Sequence, residues 1–299
     1  MSQISITAFY KFLTLTKAQV QNLQEELHEF GETNDMRGLI ILAEEGINGT
    51  VSGTSKTIPT FQKVLQSHFG ETLFKNSTSV SEPFRRWFVK IRPEIVSIGN
   101  AQAIPTVRHR SLSPQEWQHI LDTEEVVVLD ARNTYETRIG KFKHAIDPQI
   151  RKFQEFPQFV QHCTVSKEKK ILLYCTGGIR CEKALMTMEE HGYKNVFQLE
   201  GGILKYLEQF PCKNFEGECF VFDHRTAVDQ ELRPSKMYAL CPHCGDPGDR
   251  IISCVLCKNT CRVCRDCLHY PQKHTCSKNC AHHYSRQLSP AAAAPGAPC

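Results

Sequence analysis

The sequence predicts a multidomain protein of mixed α/β and α+β class that carries a cysteine-rich C-terminal segment. Strand and helix patterns alternate over residues 1–96 and again over residues 114–212, and nine cysteines lie between Cys241 and Cys280. A chain of 299 residues is long enough for two or three domains. We therefore predict an N-terminal domain at 1–96, a linker at 97–113, a central domain at 114–212, a cysteine-rich region at 213–288 and a disordered tail at 289–299.

The first domain is predicted to be a ferredoxin-like sandwich, because its elements follow the order β-α-β-β-α-β. Apolar residues at strand or helix spacing mark each element. The predicted elements are a strand Ile4–Phe12, a helix Lys17–Phe30, a strand Leu39–Ala43, a turn Gly46–Gly49 with a strand 50–53, a helix Thr57–Phe69 and a strand Phe84–Val96.

The central domain is predicted to contain a parallel sheet, because buried-strand runs alternate with helices. Ser113, Pro114 and Glu116 have the spacing of an N-cap, a first helical residue and a capping box. The predicted strands are Val126–Leu129, Ile171–Tyr174 and Val196–Leu199, with a helix Glu182–His191 and a short strand Cys219–Phe222 after the domain. Ligands bind at the carboxyl ends of parallel strands.

A loop at one such carboxyl end carries the strongest chemical signal. Cys175 follows an apolar strand, and Arg180 closes the loop just before a helix. The backbone N–H groups from Thr176 to Cys181, the helix dipole and the arginine all favour a thiolate. Cys175 is therefore the predicted nucleophile, with Arg180 as its partner. The supporting loop residues are Thr176, Gly177, Gly178, Ile179 and Cys181.

The loop length narrows the chemistry that this cysteine supports. From Cys175 to Arg180 the loop has six residues, which resembles rhodanese-type sulfurtransferases and suits a bound persulfide sulfur. Cysteine phosphatases resemble this loop but need one more residue to hold a phosphate. A buried cysteine beside a glycine turn is the alternative without catalytic function.

The longer segment 174–184, Tyr-Cys-Thr-Gly-Gly-Ile-Arg-Cys-Glu-Lys-Ala, resembles the signature of the bacterial rhodanese-domain tRNA uridine hydroxylases. Further segments in the same order are similar to this family, and together they cover roughly residues 1–280. These segments are 45–53, 89–96, 130–136, 153–157 and 217–223.

This resemblance implies an oxygen-dependent oxidoreductase that makes 5-hydroxyuridine at position 34 of tRNA. It implies the tRNA anticodon loop as partner, molecular oxygen as co-substrate and no dedicated metal or flavin for hydroxylation. Cys175 matches the family's essential cysteine, described as persulfide-forming, and Arg180 matches its loop arginine. No flavin or haem motif is evident in the sequence. We hypothesise that the thiolate adds to C6 of uridine and makes C5 nucleophilic toward oxygen.

Three residues near the loop have open roles. Asp130 and Arg132 follow a strand and either orient the loop or contact a ligand, or they form only a strand-end salt bridge. Cys181 either resolves an oxidised Cys175 as a disulfide or is simply packed in the first helical turn.

The cysteine-rich region is predicted to hold one or two structural zinc ions. Repeated Cys-x-x-Cys pairs have zinc-ligand spacing, and a segment with few core residues needs such a crosslink. A reduced, metal-free loop is the alternative, and the pairing stays open. The candidate ligands are Cys241, Cys244, Cys254, Cys257, Cys261, Cys264, Cys267, Cys276 and Cys280.

Charge and composition bear on partners and location. The net charge is +4, and the segment from Cys241 onward contains seven Lys and Arg but only three Asp and Glu. This basic segment either contacts RNA or is only a solvated surface. The RNA-binding candidates are Arg85, Arg86, Trp87, Lys90, Arg262 and Arg265. With no secretory signal, no membrane-spanning run and 15 cysteines, we expect a cytoplasmic protein with reduced thiols.

Two other functions remain open at this point. The first is a sulfurtransferase that delivers persulfide sulfur to tRNA or to a small acceptor. The second is a zinc-stabilised RNA-binding protein with a vestigial rhodanese domain, which the intact Cys175–Arg180 loop argues against.

Overall fold

A computed structural model describes residues 3–100, 104–105 and 110–288. The chain divides after Pro234 into two units. The predicted tail 289–299 and parts of the predicted linker lie outside the described residues. Within the described part of the chain, no helix has both the length and the apolar character that crossing a bilayer requires.

The first unit begins with a five-stranded sheet of order β4-β1-β3-β2-β5. The three antiparallel pairings of β4-β1-β3-β2 confirm the ferredoxin-like prediction, and β5 adds a further strand parallel to β2. Two helices pack their apolar sides on this sheet and form one core with it. The elements are β1 Ile4–Phe12, α1 Lys17–Thr33, β2 Arg37–Ala43, β3 Gly46–Gly53, α2 Thr57–Phe69, β4 Lys75–Ser79 and β5 Trp87–Ile91.

Two details of this sheet differ from the prediction. The turn falls at residues 44–45, so Gly46–Gly49 already belong to β3. The predicted strand Phe84–Val96 is shorter, and the fourth strand of the sandwich is β4, whose sequence Lys-Asn-Ser-Thr-Ser is almost entirely polar. A polar edge strand carries no apolar alternation, so the period-2 signal misses it.

A four-stranded parallel sheet of order β6-β10-β9-β7 follows and confirms the rhodanese-like prediction. The capping box at Ser113 forms as predicted. Ser111 and Leu112, predicted to be linker, form the edge strand instead. The elements are β6 Ser111–Leu112, α3 Pro114–Thr123, β7 Val127–Asp130, α4 Thr134–Thr137, β8 Gly140–Phe142, α5 Phe156–Gln161, β9 Ile171–Tyr174, α6 Ile179–Glu190, β10 Val196–Leu199 and α7 Gly202–Leu207.

The central strand β9 positions the active-site loop. All four of its residues are buried between two apolar layers, which is typical of a parallel strand covered on both faces. Three short strands then complete the first unit, which ends at Pro234. These strands are β11 Phe215–Gly217, β12 Cys219–Phe220 and β13 Ala227–Val228.

In residues 235–288, the second unit consists of short hairpins, two α-helices and one turn of 3-10 helix at Pro271–Lys273. Its core is small and rich in cysteine, with Cys241, Val263, Cys264 and Cys267 buried together. So small an apolar core supplies little folding free energy. The elements are β14 Ala239–Leu240, β15 Pro247–Gly248, β16 Arg250–Ser253, β17 Thr260–Val263, α8 Arg265–Leu268 and α9 Lys278–Leu288.

Candidate active site

Cys175 lies where β9 ends and directly before the N-terminus of α6. Gly178 is the N-cap of that helix and has a φ of 99°, a left-handed conformation that favours glycine. The Gly178 N–H donates a hydrogen bond to the Cys175 sulfur, with 3.0 Å between the nitrogen and Sγ. The strand, the turn and the helix therefore place the Cys175 sulfur in the predicted nest of N–H groups.

The surroundings of Cys175 favour its thiolate. Burial alone would raise the pKa of this thiol. Hydrogen bonding from the Cys181 thiol, the charge of Arg180 and the N–H groups of Arg180 and Cys181 outweigh burial and lower the pKa of Cys175 to about 5. Near neutral pH the sulfur is therefore ionised, which is the nucleophilic form.

The Cys181 thiol hydrogen-bonds Cys175, and its two predicted roles, resolution of an oxidised Cys175 or packing in the first helical turn, stay predictions. Its side chain is buried, and burial together with donation to Cys175 raises the pKa of the Cys181 thiol well above its usual value. It therefore keeps its proton and donates it to the neighbouring thiolate.

Arg180 is held by a carboxylate that the sequence analysis did not single out. Its two terminal nitrogens donate to Glu136 at 2.5 and 2.8 Å, and Thr176 Oγ1 donates to the same carboxylate at 3.2 Å. Burial would raise the pKa of Glu136, but the charge of Arg180 outweighs it and lowers that pKa. The available signal was the Asn133–Glu136 capping-box spacing that begins α4.

Asp130 and Arg132 form a buried ion pair rather than a ligand contact. Nε and Nη2 of Arg132 donate to the Asp130 carboxylate at 2.7–3.1 Å, and Nη2 also donates to the Gly140 carbonyl at 2.6 Å. Both residues have 0% exposure, and neither lines the cavity described below. The salt-bridge interpretation of this pair therefore fits the structure.

Side chains of the N-terminal domain lie directly over the loop glycines. A methyl group placed on Gly178 would approach Tyr10 Oη to 3.0 Å, and one on Gly177 would lie 3.8 Å from Lys75 Nζ. Tyr10 also donates a hydrogen bond to Glu182 on α6 at 3.2 Å. Tyr10 and Lys75 are not predicted from the sequence, because no local pattern shows that another domain covers the loop.

A buried ion cluster fastens the N-terminal domain to the active-site helix. Lys183 of α6 has 0% side-chain exposure and meets Glu45 at 2.7 Å and Glu94 at 2.6 Å. Glu45 accepts from the Ile95 N–H at 2.6 Å, which ties the chain leaving β5 to the same cluster. The two domains therefore present one shared site.

A cavity of about 390 Å³ lies between these domains, and Cys175, Arg180 and Lys75 all line it. This volume falls within the range of small-molecule sites. Its walls combine apolar side chains with a few polar groups. Phe222 stands at this cavity with 59% exposure, and the Arg180 guanidinium lies 5.7 Å from its ring centroid. The cavity therefore offers an aromatic surface, two kinds of cation and a thiolate together.

The predicted RNA contacts are only partly available. Trp87 is 7% exposed and packs in the core against Phe61 and Gly31, so its prediction as a base-stacking residue is wrong. The side chain of Trp87 lies on the inward face of β5, whereas Arg85 and Arg86, which precede the strand, are exposed. Lys90 is partly exposed and lies 4.7 Å from the ring centroid of Phe88.

In the second unit, Arg265 is exposed and pairs with Asp249 at 3.2 Å. Arg262 donates to the Lys236 carbonyl at 2.8 Å. Neither contact settles a role in RNA binding, so both residues remain predictions.

Eight of the nine candidate zinc ligands form two separate groups of four, with the sulfur atoms of each group within 4.8 Å of one another. The groups interleave along the chain. The pairing that the sequence left open is therefore given by the structure: Cys264 groups with Cys267, and Cys261 lies outside both groups. The groups are Cys241, Cys244, Cys264 and Cys267, and Cys254, Cys257, Cys276 and Cys280.

The sulfur spacing fits a tetrahedral ion. Four thiolates at a Zn–S distance of about 2.3 Å are about 3.8 Å apart. Cys257 lies 3.4 Å from Cys276 and 3.9 Å from Cys280, and Cys244 lies 3.4 Å from Cys264. Each group could therefore hold one zinc ion with small adjustments.

Comparison with known proteins gives three family matches and several long relatives. Residues 4–95 match the UPF0176 acylphosphatase like domain, 113–209 the rhodanese-like domain and 216–281 the rhodanase C-terminal family. A tRNA uridine(34) hydroxylase of Bdellovibrio bacteriovorus is 44% identical over 93% of this chain and 80% of its own length. That of Synechococcus elongatus is 41% identical over 86% of this chain and 94% of its own length.

Proposed function

Because this chain belongs to the tRNA uridine(34) hydroxylase family, we propose that it hydroxylates uridine 34 of tRNA to 5-hydroxyuridine with Cys175 as the nucleophile. It is an oxidoreductase that acts on tRNA. The observation that carries the assignment of the nucleophile is the low-pKa thiolate at the wall of a nucleoside-sized cavity.

The reaction starts with addition of the Cys175 thiolate to C6 of the uracil ring. C6 is the electrophilic end of a conjugated carbonyl system, so a new C6–S bond moves the ring's π electrons toward C5 and O4. Carbon C5 then becomes a nucleophile. After C5 has reacted, loss of its original proton and expulsion of the thiolate from C6 restore the C5–C6 double bond, so the enzyme acts by covalent catalysis.

Molecular oxygen supplies the hydroxyl group. One oxygen atom bonds to C5, and the other leaves as water after uptake of two protons and two electrons from an external reductant such as a small thiol. The chain contributes the activation of C5 and a cavity that shields it from bulk water.

The tRNA is engaged through its anticodon loop. Bases of such loops are unpaired, so uridine 34 can turn outward and enter a pocket at low cost. Phe222 offers a surface on which the base or its neighbour stacks, since aromatic stacking contributes about 1–3 kcal/mol per base. Arg85, Arg86, Lys90, Arg262 and Arg265 are the candidates for phosphate contacts.

The experiment that tests this function is incubation of unmodified tRNA with the purified chain, a thiol reductant and isotopically labelled oxygen gas. Nucleoside mass spectrometry should find one labelled oxygen atom in 5-hydroxyuridine. The six-residue loop also favours persulfide chemistry, so gain of a sulfur atom in place of oxygen would instead establish a tRNA sulfurtransferase. Absence of both products would contradict both functions.

We also propose that the second unit holds two zinc ions, one in each cysteine group, and that they are structural. The ions would replace the folding free energy that its small core cannot supply. Reduced thiolates are required for zinc binding and for Cys175, which fits the reducing cytoplasm as the site of action.

Substitution of one ligand should remove one ion. Cys244→Ser and Cys257→Ser are each expected to halve the zinc content of the purified full-length chain and to make 235–288 sensitive to protease. Cys261→Ser is the matched control, since Cys261 lies in the same segment outside both groups. Full zinc content in the two ligand variants, or equal loss in the control, would contradict the assignment.

A further inference from the structure

Lys75 is a buried cation that faces the active-site cavity. It lies on the edge strand β4, is 6% exposed and lines the same cavity as Cys175. Its Nζ lies 4.8 Å from the ring centroid of Tyr10. Among the described residues, its ammonium has no hydrogen-bond acceptor within 3.5 Å and no carboxylate within 4.0 Å.

The other cavity cations are already bound to carboxylates. Arg180 is held by Glu136. Arg225 binds Asp223 at 2.6 Å and also donates to a serine hydroxyl. The nitrogens of these two arginines already donate hydrogen bonds within the protein, whereas the Lys75 ammonium is available to donate to a bound ligand. Lys75 lines the cavity, so an acceptor atom of a substrate that enters there can take a hydrogen bond from its ammonium.

The groups that surround Lys75 come from several elements. Burial lowers the pKa of Lys75 to about 8, while the charges of Cys175, Glu182 and Glu208 oppose this decrease. The phenol of Tyr10 packs against it and stays protonated, since burial raises the pKa of Tyr10 well above its usual value. Lys75 therefore carries a proton at neutral pH and can release it at moderate cost.

We propose that Lys75 is a further catalytic residue that hydrogen-bonds O4 of the uracil and stabilises the negative charge formed there; this inference rests on the proposed function. As the C6–S bond forms, the electron pair of the C5–C6 double bond becomes the C4–C5 double bond, and the π pair of the C4 carbonyl moves onto O4. Nζ donates its proton to that oxygen, and the proton returns to Nζ when C5 attacks oxygen. Such proton transfer is worth roughly 10²–10⁴ in rate.

The test compares Lys75→Met, Lys75→Arg and the control Lys63→Met, which changes an exposed lysine on α2. We expect Lys75→Met to lower kcat by roughly 10²–10⁴-fold with little change in KM for tRNA, because phosphate contacts set that affinity. Alkylation of Cys175 by iodoacetamide at neutral pH should proceed at nearly the wild-type rate. The control should match wild type in all three measurements.

A pH profile separates this role from a structural one. Wild-type kcat should fall as pH rises through about 8, because the ammonium loses its proton there. Lys75→Arg keeps its charge, so this alkaline decrease should disappear in whatever activity it retains.

Three results would overturn the inference. The first is a wild-type kcat in Lys75→Met, and the second is persistence of the alkaline decrease in Lys75→Arg. The third is a loss of Cys175 alkylation in parallel with kcat in Lys75→Met, because Lys75 would then be only a counter-ion of the thiolate. If Lys75→Met does not fold, the profile of Lys75→Arg decides alone. Absence of hydroxylation by the wild-type chain would instead refute the proposed function.

Discussion

Replacement of Cys175 by serine is expected to abolish hydroxylation of uridine 34, with a loss of at least roughly 10³-fold, as for other enzymes that lose a nucleophile. A serine side chain is only slightly smaller than that of cysteine, but its hydroxyl does not ionise near neutral pH even in a nest of N–H groups. It therefore cannot add to C6. Nucleoside mass spectrometry of tRNA treated with wild type and variant measures the effect.

The matched control is Cys212→Ser, because Cys212 belongs to the same unit, is exposed and does not line the cavity. It should hydroxylate tRNA at the wild-type rate. Both variants should melt within a few degrees of wild type, which would separate chemistry from folding. Retention of 5-hydroxyuridine formation by Cys175→Ser would remove this residue from the mechanism.

Glu136→Gln is expected to lower the free energy of unfolding by about 3–5 kcal/mol, the usual cost of leaving one member of a buried ion pair without its partner. Both side chains of this pair are at least nine-tenths buried, at 0% and 7% exposure. The glutamine offers one carbonyl oxygen where Arg180 bound two carboxylate oxygens. The arginine that closes the loop would then lose its fixed position, so kcat should also fall. Urea unfolding and the hydroxylation assay measure the two effects.

Glu125→Gln provides the same chemical change at the surface. Glu125 pairs with Lys169 at 2.7 Å but is 89% exposed, and exposed pairs contribute about 0–1 kcal/mol. Equal destabilisation by the two substitutions would show that the Arg180–Glu136 contact is not the buried pair on which the loop depends.

Chemistry that is local in the sequence could be predicted, and chemistry that depends on packing could not. Cys175, Gly178 and Arg180 lie within one loop, and the strand and helix on either side have clear apolar spacing. Lys75 is a hundred residues upstream on a polar strand. Lys75 lies over the loop only because the N-terminal domain packs there, and the spacing of apolar residues in a sequence does not predict how domains pack.

The cysteine pairs show the same limit on a smaller scale. Cys261, Cys264 and Cys267 are equally spaced, so Cys-x-x-Cys spacing permits either neighbour as the partner of Cys264. The β17 strand places Cys261 outside both groups. Trp87 is similar, since adjacent arginines suggested an exposed platform while strand alternation placed the ring in the core.

The proposed reaction depends on addition of the Cys175 thiolate to C6 of uridine 34, which makes C5 nucleophilic. Incubation of tRNA with the full-length chain in heavy water without oxygen tests this step. With no oxygen to react, C5 should take a deuteron and lose its original proton when the thiolate leaves. We predict deuterium at C5 of uridine 34 with wild type and none with Cys175→Ser. A wild-type chain that hydroxylates uridine 34 in air but exchanges no hydrogen at C5 under these conditions would contradict addition of the thiolate to C6.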